Sequence, residues 1–160
     1  MSETFSLVEV FRIAEGIERN GQRFYSRAAE VVEHPEARQL LRELARWEEK
    51  HLQRFQDMRQ ECCERMDLQW VDPDGQAEAY LKAVADNHVF DPSKDPEALR
   101  EPLGSTESIV QVALEYERDT VAYLTALKAV APGVQGERVD LLIEEELRHI
   151  AVLGRLKQRL

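Results

Sequence analysis

Four segments of the chain repeat their apolar residues in alternating steps of three and four, the spacing that gathers side chains on one face of an α-helix. The first runs Leu7, Phe11, Ala14, Glu18, Gly21, Tyr25, Ala28, Val32, and the second Ala37, Leu41, Leu44, Glu48, His51, Phe55, Met58. The third is Val110, Ala113, Glu117, Thr120, Leu124, Leu127, and the fourth is Val139, Leu142, Glu146, His149, Leu153, Leu156, Leu160. Each face needs another face to cover it, so the stripes predict an all-α bundle of four helices. What is unusual is that each stripe is interrupted by acids or imidazoles.

The breaks between stripes set the order of the helices. "EHPEARQ" at Glu33–Gln39 is a tight break with Pro35 suited to a first helical turn, and "APGVQG" at Ala131–Gly136 separates the third stripe from the fourth. Both breaks are short, which pairs helices one and two, and three and four, as antiparallel hairpins. From about Asp67 to Thr106 lies a long connection holding one helical segment, "QAEAYLKAVADNHVF", and then the turn-rich "DPSKDPEALREPLGSTES". A connection of that length can run the height of a bundle. The expected architecture is therefore an up-down, crossover, up-down four-helix bundle, with a short helix in the crossover and residues 1–160 in one domain.

The two halves repeat one another. Glu18 precedes Glu48 by thirty residues and Glu117 precedes Glu146 by twenty-nine; Glu48-x-x-His51 and Glu146-x-x-His149 share the same internal spacing. A duplicated helical hairpin, folded about a pseudo-two-fold axis, would bring all six of these residues together.

Burying four carboxylates without partners costs several kcal/mol each, or forces most of them to protonate. A domain with about 5–15 kcal/mol of net stability cannot carry that uncompensated. A lone Glu on a helix is usually solvated, and a lone stripe histidine is usually a hydrogen-bonded core residue. The joint pattern favours two divalent cations, which would neutralise the four acids. Imidazole mixed with carboxylate suits iron or manganese better than calcium or magnesium, and no thiolate is placed to favour zinc or an iron–sulfur cluster. The two cysteines, Cys62 and Cys63, are adjacent and form no CxxC pair; they read as reduced thiols at a helix end.

Charge narrows the partners. A formal net charge of −10 argues against nucleic acid and anionic membranes. "MSETFSLVEVFRIAEG" has neither a basic start nor an apolar run, and nowhere are 18 consecutive residues apolar, so a cytoplasmic protein is expected.

Taken together, "IERNGQRFY" (Ile17–Tyr25), "WEEKHLQRF" (Trp47–Phe55), "LEYERDTVAYL" (Leu114–Leu124) and "IEEELRHI" (Ile143–Ile150) resemble the rubrerythrin-like branch of the ferritin-like superfamily. The resemblance implies that Glu48 and Glu146 bridge two iron ions, with manganese or mixed metals as alternatives. It makes Glu18 and Glu117 terminal carboxylates, and His51 and His149 terminal imidazoles, one per metal. Tyr25 matches a tyrosine of the family that hydrogen-bonds near the metals, and Tyr123 is the candidate for its counterpart. Either could instead be a core aromatic with its hydroxyl satisfied.

The departures matter too. The chain has no rubredoxin domain, and Thr120 stands three residues after Glu117, where rubrerythrins carry a movable Glu. Glu15 fits the stripe less well than Glu18, and Glu115 points away from the face of Glu117. Glu49, Glu144 and Glu145 are expected to face water. Gly21, costly by roughly 1 kcal/mol inside a helix, leaves room for a small oxidant or for close helix packing.

Three functions follow as expectations. The first is an oxidoreductase reducing hydrogen peroxide or dioxygen, with electrons from an external donor such as a rubredoxin-like or flavin protein. The second is a ferroxidase or iron-handling protein, and the third a metal-stabilised structural bundle. A homodimer is the expected assembly.

Overall fold

A computed structural model describes residues 7–64, 75–86, 104–130 and 133–160. These form five helices and no strand: α1 (Leu7–Val31), α2 (Pro35–Glu64), α3 (Gln76–Asp86), α4 (Thr106–Val130) and α5 (Gly133–Lys157). The long helices α1, α2, α4 and α5 carry the four stripes.

The α1–α2 turn is closed by local chemistry. His34 sits at the N-cap of α2, its Nδ1 accepting the Ala37 N–H at 3.3 Å, and Pro35 fills the first helical position, where no N–H is needed. Arg38 Nε donates to the Val32 carbonyl at 2.9 Å, satisfying an acceptor just past the end of α1. Ser105 plays the capping part for α4, its Oγ accepting the Ser108 N–H at 3.3 Å.

Cross-helix pairs fix the directions. Tyr116 meets Ile17 while Tyr123 meets Val10, so α1 and α4 are antiparallel. His51 meets Glu145 while Glu61 meets Arg138, so α2 and α5 are antiparallel as well. Lys157 on Gln111 and Lys128 on Asp140 show the same for α4 and α5. With α1 and α2 antiparallel across their three-residue connection, α2 and α4 point the same way. The chain must therefore return along the bundle between them, which is the expected crossover. α3 lies in that return and packs on α4, burying Leu81 and Ala85.

Two boundaries differ from the sequence expectation. α5 begins at Gly133, inside the "APGVQG" break, and α4 begins at Thr106, inside the turn-rich stretch. α3 ends at Asp86; the expected helical residues 87–90, and most of the turn-rich stretch, lie outside the described residues. None of the described helices is long and apolar enough to cross a membrane.

One buried cluster runs through the four long helices, from Phe11, Leu44 and Phe55 to Leu124, Leu142 and Leu156. At the middle of this apolar packing the stripes carry their acids and imidazoles.

Candidate metal centre

All six interrupting residues face inward. Glu18 comes from α1, Glu48 and His51 from α2, Glu117 from α4, and Glu146 and His149 from α5; none is more than 3% exposed. They fall into two overlapping groups, Glu18–Glu48–His51–Glu146 and Glu48–Glu117–Glu146–His149. Within each group one ligand atom per residue lies within 4.8 Å of the others. Glu48 and Glu146 belong to both.

Glu146 sits between the imidazoles. Its Oε1 is 2.7 Å from His51 Nδ1 and its Oε2 is 2.7 Å from His149 Nδ1. Glu18 Oε2 is 3.8 Å from His51 Nδ1, and Glu117 Oε2 is 3.5 Å from His149 Nδ1. Yet neither Nδ1 makes a hydrogen bond, and the same is true of both oxygens of Glu18, both of Glu146, Glu48 Oε1 and Glu117 Oε2. Buried polar atoms are normally satisfied. Apart from Gln135 Oε1, the unsatisfied ones among the described residues converge on one place, and they are lone-pair donors of the carboxylate and imidazole type that iron and manganese take. The residues present fit a pair of such ions.

The cluster holds protons unusually. Burial and the neighbouring carboxylates push Glu48 well above the usual carboxylate range, and burial with Glu146 does the same to Glu117. Burial alone would raise Glu146 too, but the two histidines outweigh it and hold that carboxyl low. Burial would lower His149, but Glu117 and Glu146 outweigh it and bring it to about 9. His51 is likewise raised, by Glu145 and Glu146 against its burial. Protons and cations thus compete for the same atoms.

The surroundings of the cluster bring two corrections. Tyr25 Oη donates to Glu117 Oε1 at 2.5 Å, as the resemblance implied. Tyr123 does not reach the cluster: its Oη donates to the Val10 carbonyl at 2.9 Å, making it a satisfied core aromatic. The second hydroxyl on the carboxylates is that of Tyr116, which donates to Glu48 Oε2 at 2.7 Å. Its ring stands edge-on to that of Tyr25, with centroids 5.6 Å apart. Tyr116 lies on a neighbouring line of α4, Ala113–Tyr116–Thr120, which the stripe through Glu117 partly shares.

Glu145 is the other correction. Expected in water, it is only 30% exposed and reaches across to α2, where its Oε2 accepts from His51 Nε2 at 2.8 Å and from Arg54 Nη1 at 2.7 Å. His51 and, to a lesser degree, Arg54 hold the Glu145 carboxyl down at about 2 against its partial burial. A carboxylate there places the imidazole proton on Nε2 and turns the Nδ1 lone pair toward the cluster. The signal in the sequence was the run of three acids in "EEELRHI", with Glu146 on the stripe and Glu145 beside it.

The remaining acids lie outside the two groups. Glu15 is buried but paired with Arg59 of α2, Glu115 is exposed and bonded to Gln111, and Glu144 is exposed beside Arg148 at 3.6 Å. Glu49 is exposed, and Thr120 is buried. Cys62 is buried and Cys63 exposed near the end of α2; both are free thiols, and neither belongs to the two groups.

Residues 2–59 match the family model described as Rubrerythrin, a stretch that contains Glu18, Glu48 and His51 and ends before α4 and α5. The fold is similar to a crystal structure from Thermotoga maritima described as that of a candidate ferritin-like diiron-carboxylate protein, with a TM-score of 0.70 and 20% sequence identity. That similarity covers 99% of this chain and 98% of the other. No curated protein matches the chain. The chain thus shares the fold of that protein and resembles rubrerythrin over residues 2–59, and it carries a buried cluster suited to a binuclear metal site.

Proposed function

We propose that this chain is a dimetal-carboxylate oxidoreductase that reduces hydrogen peroxide or dioxygen with electrons from a separate donor. The observation that carries the reading is the convergence of unsatisfied carboxylate oxygens and imidazole nitrogens in two groups sharing Glu48 and Glu146, all on buried residues. Glu18 and His51 would hold one ion, Glu117 and His149 the other, and Glu48 and Glu146 both. A bound pair of iron ions, or of manganese ions, would supply two electrons together for O–O bond cleavage.

The chain's own residues do the rest. The apolar packing around the cluster excludes bulk water, so only a small oxidant reaches the acids and competing reactions are suppressed. Burial keeps the Tyr25 and Tyr116 hydroxyls protonated, since it pushes both well above the usual phenol range, with Glu117 and Glu48 adding to the effect. Each therefore stays a donor to its carboxylate, leaving the other oxygen for a cation. Peroxide reduction to two waters needs two electrons and two protons; cations would displace the protons of the metal-free cluster, so both protons would be taken up from solvent. The chain would take its electrons from a rubredoxin-like or flavin protein in the cytoplasm. A homodimer is proposed as its assembly.

Iron handling is the second reading, favoured by the net charge of −10, which draws cations to the surface. The test that separates the two is a stoichiometric one. Iron-loaded, reduced protein should consume one peroxide per chain, be reoxidised by two electrons, and turn over when a chemical reductant is added. Growth of an iron mineral with excess iron, without peroxide turnover, would replace the oxidoreductase with the iron-handling protein.

A further inference from the structure

The pseudo-two-fold relation between the halves fails just outside the six clustered residues. Glu145 precedes Glu146, and its symmetry counterpart, the residue preceding Glu48, is Trp47. Glu145 crosses to His51 and holds its Nε2 at 2.8 Å. Trp47 meets His149 instead, lying flat on the imidazole with centroids 4.7 Å apart and an interplanar angle of 5°. A stacked indole keeps a ring in plane but accepts no proton from it in the way a carboxylate does. Among the described residues, no carboxylate anchors His149 from outside as Glu145 anchors His51.

The terminal carboxylates are unequal in the same sense. Both oxygens of Glu18 are buried and free of hydrogen bonds. Glu117 has one oxygen already taken by the Tyr25 hydroxyl, which draws charge from the carboxylate and leaves Oε2 alone. A cavity of about 200 Å³ opens beside His149, lined by Trp47, Lys50, Arg54, Glu145, Arg148 and His149. It reaches His149, whereas His51 does not line it.

We propose that the two cation positions are unequal: the Glu18–His51 position binds tightly and fills first, while the Glu117–His149 position binds more weakly and exchanges through the cavity beside Trp47. This rests on the reading of the cluster as a two-cation site. Anchoring a ligand histidine from outside is worth about 10–100-fold in metal affinity, and the gap between positions should lie in that range. Glu145 acts through His51, and is a positioning residue.

The test is a titration of metal-stripped protein with manganese(II), counting the free ion by its paramagnetic resonance. Two binding phases are expected, separated by about 10–100-fold. His149→Ala should keep the tight phase, and His51→Ala should remove it. Glu145→Ala should close most of the gap by weakening the tight phase. Glu145→Gln should give an intermediate gap, because its amide oxygen still accepts the His51 proton but carries no charge. Rescue by the amide is not what general loss of folding would give. Two phases of equal affinity, loss of the tight phase in His149→Ala, or a full gap retained in Glu145→Ala would each overturn the inequality. A parent chain that binds fewer than two manganese ions would overturn it together with the two-cation reading. Absence of peroxide turnover alongside two unequal phases would remove only the oxidoreductase.

Discussion

The ring of Tyr116 on α4 occupies the space that a side chain at Gly21 on α1 would need. A Cβ built at Gly21 would overlap the Tyr116 Oη and Cζ and come within 2.9 Å of Cε1. Gly21 thus serves close packing, and through it the hydrogen bond from Tyr116 to Glu48. Helix propensity alone would favour alanine by about 1 kcal/mol, but overpacking a filled core costs about 1–3 kcal/mol. Gly21→Ala should therefore lower the melting temperature. Gly154 in α5 has nothing within 4 Å of an added Cβ, so Gly154→Ala should raise stability by up to about 1 kcal/mol. Thermal or urea unfolding of the two variants checks the pair; a stabilised Gly21→Ala protein would contradict the packing.

The two α4 tyrosines should separate by consequence. Tyr123→Phe removes a hydroxyl that, among the described residues, is bonded to the Val10 carbonyl. It should cost about 1 kcal/mol of stability and leave metal content and oxidation unchanged. Tyr116→Phe takes the donor from Glu48 and should alter the rate of peroxide-driven oxidation at unchanged metal content. Single-turnover oxidation of the two variants makes the comparison. Equal rates in both would return Tyr116 to a packing role.

The pH dependence of the metal-stripped bundle follows from the proton affinities of the cluster. His149 is raised from 6.5 to about 9 by Glu117 and Glu146, against its burial. Its contribution is fully present below 6.5 and lost as pH rises through 9. Glu48 and Glu117 are raised as well, so their contribution is also lost as pH rises above the ordinary carboxylate range. Glu145, lowered to about 2, has the opposite sign: its share is present above 4.5 and lost as pH falls toward 2. Stability of the stripped protein should thus peak in mildly acidic solution and fall from about pH 6 to about pH 9.5. Metal loading should flatten the alkaline fall, because cations replace the protons. Melting curves across that range, with and without manganese(II), provide the measurement, and an equal alkaline fall in both would contradict it.

Helical register was legible because it was written four times. A three-and-four step run across each long helix left little freedom in which side chains face inward, and all six polar stripe residues are buried and converge. The crossover was legible from the length of chain between the second and third stripes. The side chains beside the stripes were harder to place. Glu145 lies one residue off its stripe, and only its length, with Arg54 and His51 waiting on α2, carries it inward. Tyr116 was hidden because repeat symmetry directs attention to the counterpart of Tyr25, near Tyr123, whereas α1 and α4 cross so that the position before Glu117 faces Gly21. The repeat relates the six clustered residues, and it fails one residue further out. Helix starts at Thr106 and Gly133 were missed because glycine, proline and serine mark turns and first helical turns alike.

The central claim is that Glu48 and Glu146 are shared by two cations while their neighbours are not. Metal content per chain, measured by elemental analysis on iron- or manganese-loaded protein, tests it across Glu48→Ala, Glu146→Ala, Glu49→Ala and Glu144→Ala. The account predicts two ions per chain in the parent and in the Glu49 and Glu144 variants, and loss of both ions in the Glu48 and Glu146 variants. Two ions retained in Glu146→Ala, or a Glu49→Ala protein that behaves like Glu48→Ala, would contradict it.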